Sequence, residues 1–196
     1  MIRNLAACAL VFVASGCATL PLAAGLHDWP TRRAALQALD RWTLDGRIAV
    51  AAGEKGFSGG FDWSQQGASA DIEISGPMGG KLMDIRLEGG ESVVSTDASA
   101  GSGEVVRSDM DKYLGPGQTL PIEEMRYWLV GAPAPGAPHE ETLGRDQRLA
   151  SLSQSGWQVR YDRYEPVGAI ALPSRMEMTT AGLRLRVAVS DWSLPP

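Results

Sequence analysis

Apolar and polar residues alternate one by one along several segments of this 196-residue chain. In residues 183–190, for example, Leu183, Leu185, Val187 and Val189 are each followed by a charged, small or polar residue. Successive side chains of a β-strand point to opposite faces, so this pattern predicts strands with one apolar and one solvated face. Such strands belong to antiparallel sheets packed on one side, not to a buried parallel sheet. The same alternation recurs at Phe61/Trp63, Ile72/Ile74, Met83/Ile85/Leu87, Trp157/Val159/Tyr161 and Met176/Met178.

Other segments have turn or helical patterns. Hairpin turns are predicted at Glu88-Gly89-Gly90, Ser155-Gly156 and Ala181-Gly182. Helices are predicted from Asp28 to about Arg41, over Ser108–Leu114 and over Pro121–Val130, and the Pro-rich residues 132–139 are expected to form a loop. The predicted fold is therefore mostly β with some α: an open, strongly curved antiparallel sheet whose concave apolar face is covered by a helical lid.

The N-terminus has the pattern of an exported lipoprotein. Arg3 is followed by the unbroken apolar run of residues 5–14 and then by Ser15-Gly16-Cys17. A cysteine directly after small residues forms a lipobox, so Cys17 is predicted to be acylated and to become the new N-terminus. We therefore expect residues 1–16 to be a lipoprotein signal peptide, residues 17–27 a lipidated tether and residues 28–196 one folded domain.

Two alternatives at the N-terminus were weighed. Leu5-Ala6-Ala7-Cys8 also matches a lipobox, but too few residues precede it to form an apolar core for a signal peptide. A plain signal peptide with an incidental cysteine is the other alternative. Ala18, which follows Cys17, is not the aspartate associated with retention in the inner membrane, so the outer membrane is the expected location.

Charge and residue types exclude several function classes. Removal of residues 1–16 deletes Arg3 and no acidic residue, which leaves 17 basic against 23 acidic residues and a net charge of −6. This balance argues against nucleic-acid binding. His27 and His139 have no spaced ligand partners, and neither a nucleophile elbow nor a phosphate-binding loop is present. We therefore expect no metal, no cofactor and no enzymatic activity.

Two features favour an apolar binding function. Trp63, Met83, Met125, Trp128 and Met178 fall on the predicted inward faces, where they form either an ordinary packed core or a ligand-accessible apolar space. The turn Gly76-Pro77-Met78-Gly79-Gly80 also carries a large apolar side chain at its tip, where polar residues are usual. Met78 is expected either to fold back onto the sheet or to contact a membrane.

In their order along the chain, these features resemble the LolB family of outer-membrane lipoprotein receptors. The matching stretches are residues 44–50, 60–66, 76–79, 120–131, 156–161, 172–178 and Asp191-Trp192. The resemblance implies an open β half-barrel with a helical lid enclosing an apolar cavity. It also implies a monomer that accepts lipoproteins from a LolA-type periplasmic carrier, binds their acyl chains and inserts them into outer-membrane lipid. In the family, the turn at Met78 projects a bulky apolar residue.

The chain departs from the family at Ala14, where leucine is usual in the lipobox, and between Ser92 and Val106, where similarity is low. Two other functions stay open on the sequence. One is an anchored structural or assembly lipoprotein with a filled core, and the other is a carrier of lipid or small apolar molecules without lipoprotein cargo.

Overall fold

A computed structural model describes residues 28–76, 78–88, 91–96 and 120–195, with the backbone alone at residues 91–96. Within these ranges, ten antiparallel strands form one sheet and two helices accompany it. The elements are α1 (Trp29–Gln37), β1 (Arg41–Ala52), β2 (Lys55–Gln66), β3 (Ser69–Ser75), β4 (Lys81–Glu88), β5 (Glu91–Thr96), α2 (Ile122–Leu129), β6 (His139–Leu143), β7 (Leu149–Gln154), β8 (Trp157–Val167), β9 (Ile170–Thr180) and β10 (Leu183–Ser193).

The strand order is β5-β4-β3-β2-β1-β10-β9-β8-β7-β6, so the first and second halves of the chain meet where β1 pairs with β10. β5 and β6 are the edge strands, and the sheet is open. This arrangement confirms the predicted open antiparallel fold with strands before and after a helical segment. The hairpins at Ser155-Gly156 and Ala181-Gly182 are also confirmed.

Alternation sets the face of each strand as predicted. Ile72 pairs with Ile85, and Ile74 pairs with Met83, so the inward residues of neighbouring strands stack in rows. These residues belong to one hydrophobic core on the inner face of the sheet. Burial of this face, at about 25 cal/mol per Å² of apolar surface, favours the sheet over an extended chain.

Four strands, β1, β5, β6 and β7, were not predicted from alternation in the sequence. In β1, Gly46 interrupts the pattern, and the register with β10 shifts between Asp45 and Gly46. A Cβ atom at Gly46 would lie 2.5 Å from the carbonyl oxygen of Ala188, so this close approach of two strands requires glycine. Trp42, Leu44, Ile48 and Val50 keep the inward positions on either side.

α1 is shorter than predicted. The Asp28 side chain caps it by accepting a hydrogen bond from the Thr31 N–H at 3.0 Å, and Pro30 lies in its first turn. The helix ends at Gln37, so the expected end near Arg41 was wrong. β1 begins at Arg41 because Trp42 is buried there and pairs with Gln65 of β2. The helix expected over Ser108–Leu114 and the turn residues Gly89 and Gly90 lie outside the described residues.

α2 confirms the helix expected between Pro121 and Val130. Ile122, Met125, Trp128 and Leu129 form its buried stripe, and Gly131 follows it with φ of +86°, a conformation that favours glycine. The Pro-rich segment after it is a loop that ends where β6 starts, at His139. In the described part of the chain, no helix is long and apolar enough to cross a membrane.

Candidate functional site

The inner face of the sheet and the buried stripe of α2 together form the candidate site. Trp63 lies on β2, Met83 on β4, Met178 on β9, and Met125 and Trp128 on α2. Each is at most 2% exposed, and all five belong to the same hydrophobic core. The structure therefore brings the five sequence-predicted residues into one apolar region between sheet and helix, and it packs them away from solvent.

Two buried glutamines hold the tryptophans of this region. The Trp63 indole N–H donates to Oε1 of Gln65 at 2.9 Å, and the Gln65 amide donates to the carbonyl oxygens of Gly67 and Ser69. The Trp128 indole N–H donates to Oε1 of Gln154 at 2.8 Å. Buried polar groups are tolerated when they are hydrogen-bonded in this way. Neither glutamine was predicted from the sequence. Gln65 continues the inward positions of β2 after Phe61 and Trp63, whereas Gln154 lies on β7, whose buried positions do not alternate regularly.

The two halves of α2 are attached to the sheet differently. At the C-terminal half, the Trp128 indole binds Gln154, and the Tyr161 hydroxyl donates to the Trp128 carbonyl oxygen at 2.9 Å. Burial raises the pKa of Tyr161 well above its ordinary value, so its hydroxyl stays a donor at neutral pH. Arg126, in the last turn of the helix, also donates through Nη1 to the Gly67 carbonyl oxygen at 2.8 Å, so these hydrogen bonds all come from the C-terminal half, residues 126–129.

A cavity of about 390 Å³ opens along α2. Glu123, Glu124, Arg126 and Tyr127 line it from the helix, and Leu87 lines it from the end of β4. The Arg126 guanidinium also lies over the Tyr127 ring, 4.5 Å from its centroid. Arg126 thus lines this cavity and also binds the Gly67 carbonyl oxygen at the β2–β3 turn.

α1 covers a further part of the core. Leu36 is 2% exposed, and the Gln37 amide donates to the Pro133 carbonyl oxygen at 2.8 Å. The Trp29 indole N–H donates to Oε1 of Glu141 on β6 at 2.6 Å. His139 lies 3.6 Å from the other oxygen of Glu141. The first helix after the predicted tether is thus fixed to the sheet edge formed by β6.

The turn between β3 and β4 projects Met78 into solvent. Its side chain is 100% exposed. The Gly76 N–H donates to the Gly80 carbonyl oxygen at 2.7 Å, and the Gly79 N–H donates to the Gly76 carbonyl oxygen at 3.0 Å. The structure therefore does not have the folded-back conformation that was the alternative for Met78. Cys17, the predicted lipidation site, and His27 lie outside the described residues.

The outer face of the sheet carries charged side chains, and two pairs of them shift the pKa of a carboxyl group in opposite directions. Asp45 and Asp62 are directly opposite each other on β1 and β2, and partial burial together with the neighbouring Asp45 raises the pKa of Asp62. On β10 and β9, Arg186 binds Glu177 at 2.7 Å and holds the pKa of that carboxyl below its ordinary value.

Comparisons with known proteins point to one family. A family model described as "Outer membrane lipoprotein LolB" matches residues 40–192. A protein of Pseudomonas paraeruginosa named "Outer-membrane lipoprotein LolB" is 35% identical, over 96% of this chain and 94% of its own length. A protein of the same name from Nitrosococcus oceani is 34% identical, over 92% of each chain. Among solved structures, a LolA superfamily protein from Nitrosomonas europaea has a similar fold, with a TM-score of 0.51 and 11% identity over 86% of this chain and 94% of that one.

Proposed function

This chain belongs to the LolB family of outer-membrane lipoproteins, and we propose that it is the lipid-anchored receptor that completes lipoprotein localisation. It accepts lipoproteins as a monomer from a LolA-type periplasmic carrier, holds their acyl chains in an apolar space and inserts them into the outer membrane. Cys17 carries its own lipid, residues 17–27 form the tether, and the domain from residue 28 onward acts beside the bilayer.

Acyl chains bind in the region between the sheet and α2. Burial of an acyl chain is worth about 0.8 kcal/mol per CH₂ group, so a receptor must offer a large apolar surface. Trp63, Met83, Met125, Trp128 and Met178 supply that surface. Methionine suits this role because its unbranched, polarisable side chain adapts to occupants of different shape.

The space opens when the N-terminal half of α2 moves away from the sheet. The side chains of residues 122–125 form no hydrogen bond with another described residue, whereas Arg126 and Trp128 in the C-terminal half are bound to the β2–β3 turn, to Gln154 and to Tyr161. Movement around Gly131 would widen the existing cavity beside Glu123 and expose Met125 to an entering chain. The proposal rests on one observation: an apolar inner face lies under a helix whose hydrogen bonds to the rest of the domain come from its C-terminal half.

Met78 is the membrane contact. An apolar side chain left in water forgoes roughly 1.5–3 kcal/mol that burial would recover, so a fully exposed methionine at a turn tip favours an apolar receiver outside the domain. The membrane next to the lipid anchor is such a receiver. Insertion of Met78 there would bring the acyl-chain site close to the lipid that takes up the cargo.

A two-step transfer assay tests this function. Purified carrier loaded with a lipoprotein is mixed with the lipidated chain in liposomes, and the cargo is followed from carrier to receptor and from receptor to lipid. We expect both transfer steps to proceed without added nucleotide. Cargo that stays on the carrier would contradict the proposal and favour the anchored structural lipoprotein. Binding of fatty acid without transfer of lipoprotein would favour the simple lipid carrier.

A fluorescent fatty acid separates an accessible space from a filled core. Met125→Trp places a larger side chain under α2, so we expect weaker probe binding with a loss of stability of about 1–3 kcal/mol. Met78→Leu is the matched control, because it changes a methionine that has no contact with the core. If folded Met125→Trp binds the probe as well as the parent, the five residues form an ordinary core.

A further inference from the structure

One cross-strand row carries three exposed arginines on the outer face of the sheet. The row crosses six neighbouring strands in the order β3, β2, β1, β10, β9 and β8. Each strand contributes one residue, which pairs with the next: in the same order these are Ser75, Gly60, Arg47, Ala188, Arg175 and Arg163. Its first residue, Ser75, directly precedes the turn that carries Met78. The arginine row and the exposed methionine are therefore connected parts of one outer surface.

The charges of this row are not neutralised within the described part of the chain. The neighbouring arginines on this face have carboxylate partners: Arg186 binds Glu177 at 2.7 Å, and Arg160 binds Asp162 at 3.0 Å. Within the described residues, no ion pair or hydrogen bond is formed by the side chains of Arg47, Arg163 and Arg175; their backbones take part only in the pairing of the strands. Arg163 and Arg175 are also directly opposite each other on β8 and β9, an arrangement of like charges that destabilises a sheet.

The row contains a shallow site shaped by small residues. A surface cavity of about 490 Å³ is lined by Arg47 and Arg175, with Ala188 between them and Ala49 and Ser58 beside them. Two carboxylates also line it, Asp162 and Glu177, and these are paired with Arg160 and Arg186. Strands are spaced about 4.8 Å apart, so the Cα atoms of Arg47 and Arg175 are separated by about 10 Å across Ala188. Two guanidinium groups that flank a small residue at this spacing can both reach one phosphate, which arginine binds with paired N–H donors.

We propose that Arg47 and Arg175, assisted by Arg163, bind the phosphate of anionic lipid headgroups where the Met78 turn meets the membrane. The inference rests on the proposed function, in which this turn contacts lipid. The expected mature chain has a net charge of −6, so an anionic bilayer repels the molecule as a whole and attracts it only through a local basic surface. The row therefore orients the domain, and Met78 then inserts beside it.

Arginine labelling of the lipidated full chain tests the contact directly. Phenylglyoxal modification of each arginine is measured by mass spectrometry in phosphatidylcholine vesicles with and without phosphatidylglycerol. We expect Arg47 and Arg175 to react about fivefold more slowly in the anionic vesicles, since one basic side chain near an anionic leaflet gains about that factor. High salt should remove the difference. Arg86 and Arg145 are internal controls that should react equally in both.

Equal reactivity of Arg47 and Arg175 in the two kinds of vesicle would overturn the proposal. The arginines are also labelled in detergent micelles that contain inorganic phosphate. If phosphate slows their modification as much as anionic vesicles do, the site is one for free phosphate, and the proposal is overturned as well.

Variants connect the row to transfer. In the assay with purified carrier, the double variant Arg47→Gln/Arg175→Gln should deliver cargo to anionic vesicles at least fivefold more slowly and to zwitterionic vesicles at the parental rate. Arg86→Gln/Arg145→Gln removes the same number of charges elsewhere and should behave like the parent. A defect in acceptance from the carrier would instead make the row a protein-docking surface and overturn the lipid assignment. Normal delivery by Met78→Glu would contradict the proposed membrane turn but would leave the labelling result unaffected.

Discussion

At the scale of single residues, Met78 and Gln154 have environments opposite to those usual for their types. Gln154 is 3% exposed and satisfied by the Trp128 indole and by the backbone of Ala134, with which it exchanges two hydrogen bonds of 2.8 Å. The apolar side chain of Met78 is fully exposed to solvent. The buried amide is explained by its partners inside the domain. The exposed thioether has no such partner among the described residues, and its exposure is the observation behind the proposed membrane contact.

Met78→Glu should separate membrane contact from folding. The side chain is fully exposed, so the free energy of unfolding should change by less than about 0.5 kcal/mol. Delivery of cargo to liposomes should fall roughly 10-fold or more, because the apolar gain of about 1.5–3 kcal/mol is lost and a negative charge is added.

Met78→Leu keeps size and polarity and should deliver at the parental rate. Thermal melts and the two-step transfer assay are measured on all three proteins. If Met78→Glu loses stability while its delivery per folded molecule is unchanged, the membrane role of Met78 is wrong.

At the scale of elements, α2 is a short helix with unequal ends. Eight residues cannot form a stable helix alone in water, so α2 depends on its buried stripe and on its hydrogen bonds to the sheet. Those bonds come from Trp128 and from Arg126, which binds the Gly67 carbonyl oxygen, and both residues lie in the C-terminal half. The proposed opening motion is therefore expected to begin at the N-terminal half, where fewer bonds are broken.

Arg126→Gln should extend the loosely attached part of α2 from residues 122–125 to residue 126. A hydrogen bond from a charged donor is worth about 1.5–3 kcal/mol, so amide exchange at Met125 and Arg126 should become about 10-fold faster or more. The amide of Ala132, which donates to the Tyr127 carbonyl oxygen at 3.0 Å, should keep its protection.

Hydrogen exchange resolved by NMR measures both sites, and Glu123→Gln is the control on the same helix. Equal acceleration along the whole of α2 would show that Arg126 stabilises the helix generally and does not act at one end.

At the scale of the whole molecule, an acidic chain of an outer-membrane lipoprotein family needs an attachment that does not depend on its net charge. Neither the net charge of −6 expected after processing nor the sequence next to Cys17 would supply electrostatic attachment. We therefore propose that acyl chains on Cys17 hold the protein, and stable anchoring takes more than one chain. We propose that the arginine row then orients the domain, on an outer face that also carries Asp45, two residues before Arg47 on β1, and Asp62 on β2.

Processing at Cys17 is testable by mass spectrometry of the protein extracted from membranes. We expect an acylated N-terminal peptide that begins at Cys17, because the residues before it form the apolar core and small-residue end of a signal peptide. Cys8→Ala should be processed and anchored like the parent, whereas Cys17→Ala should lose the lipid. A mature chain that retains Cys8, or an unmodified N-terminus beyond Cys17, would contradict the lipoprotein assignment.

The sequence by itself determined the local features. A two-residue period assigns Trp63, Met83 and Met178 to the inner face wherever their strands pair, because side-chain direction depends on backbone geometry alone. Pro121 and Gly131 likewise mark the limits of α2 through the conformations that proline and glycine favour. Fold class and the apolar region follow from these local signals.

Only the tertiary structure decided which distant residues meet. It pairs Ile48 with Val187, places Gln154 against Trp128, joins Arg126 to Gly67 and aligns Arg47 with Arg175 across Ala188. It also ended α1 before Arg41, because Trp42 gains more from burial in β1 than a further helical turn would supply. Such pairings depend on closing long loops and on burying all partners at once, and no short stretch of sequence encodes that balance.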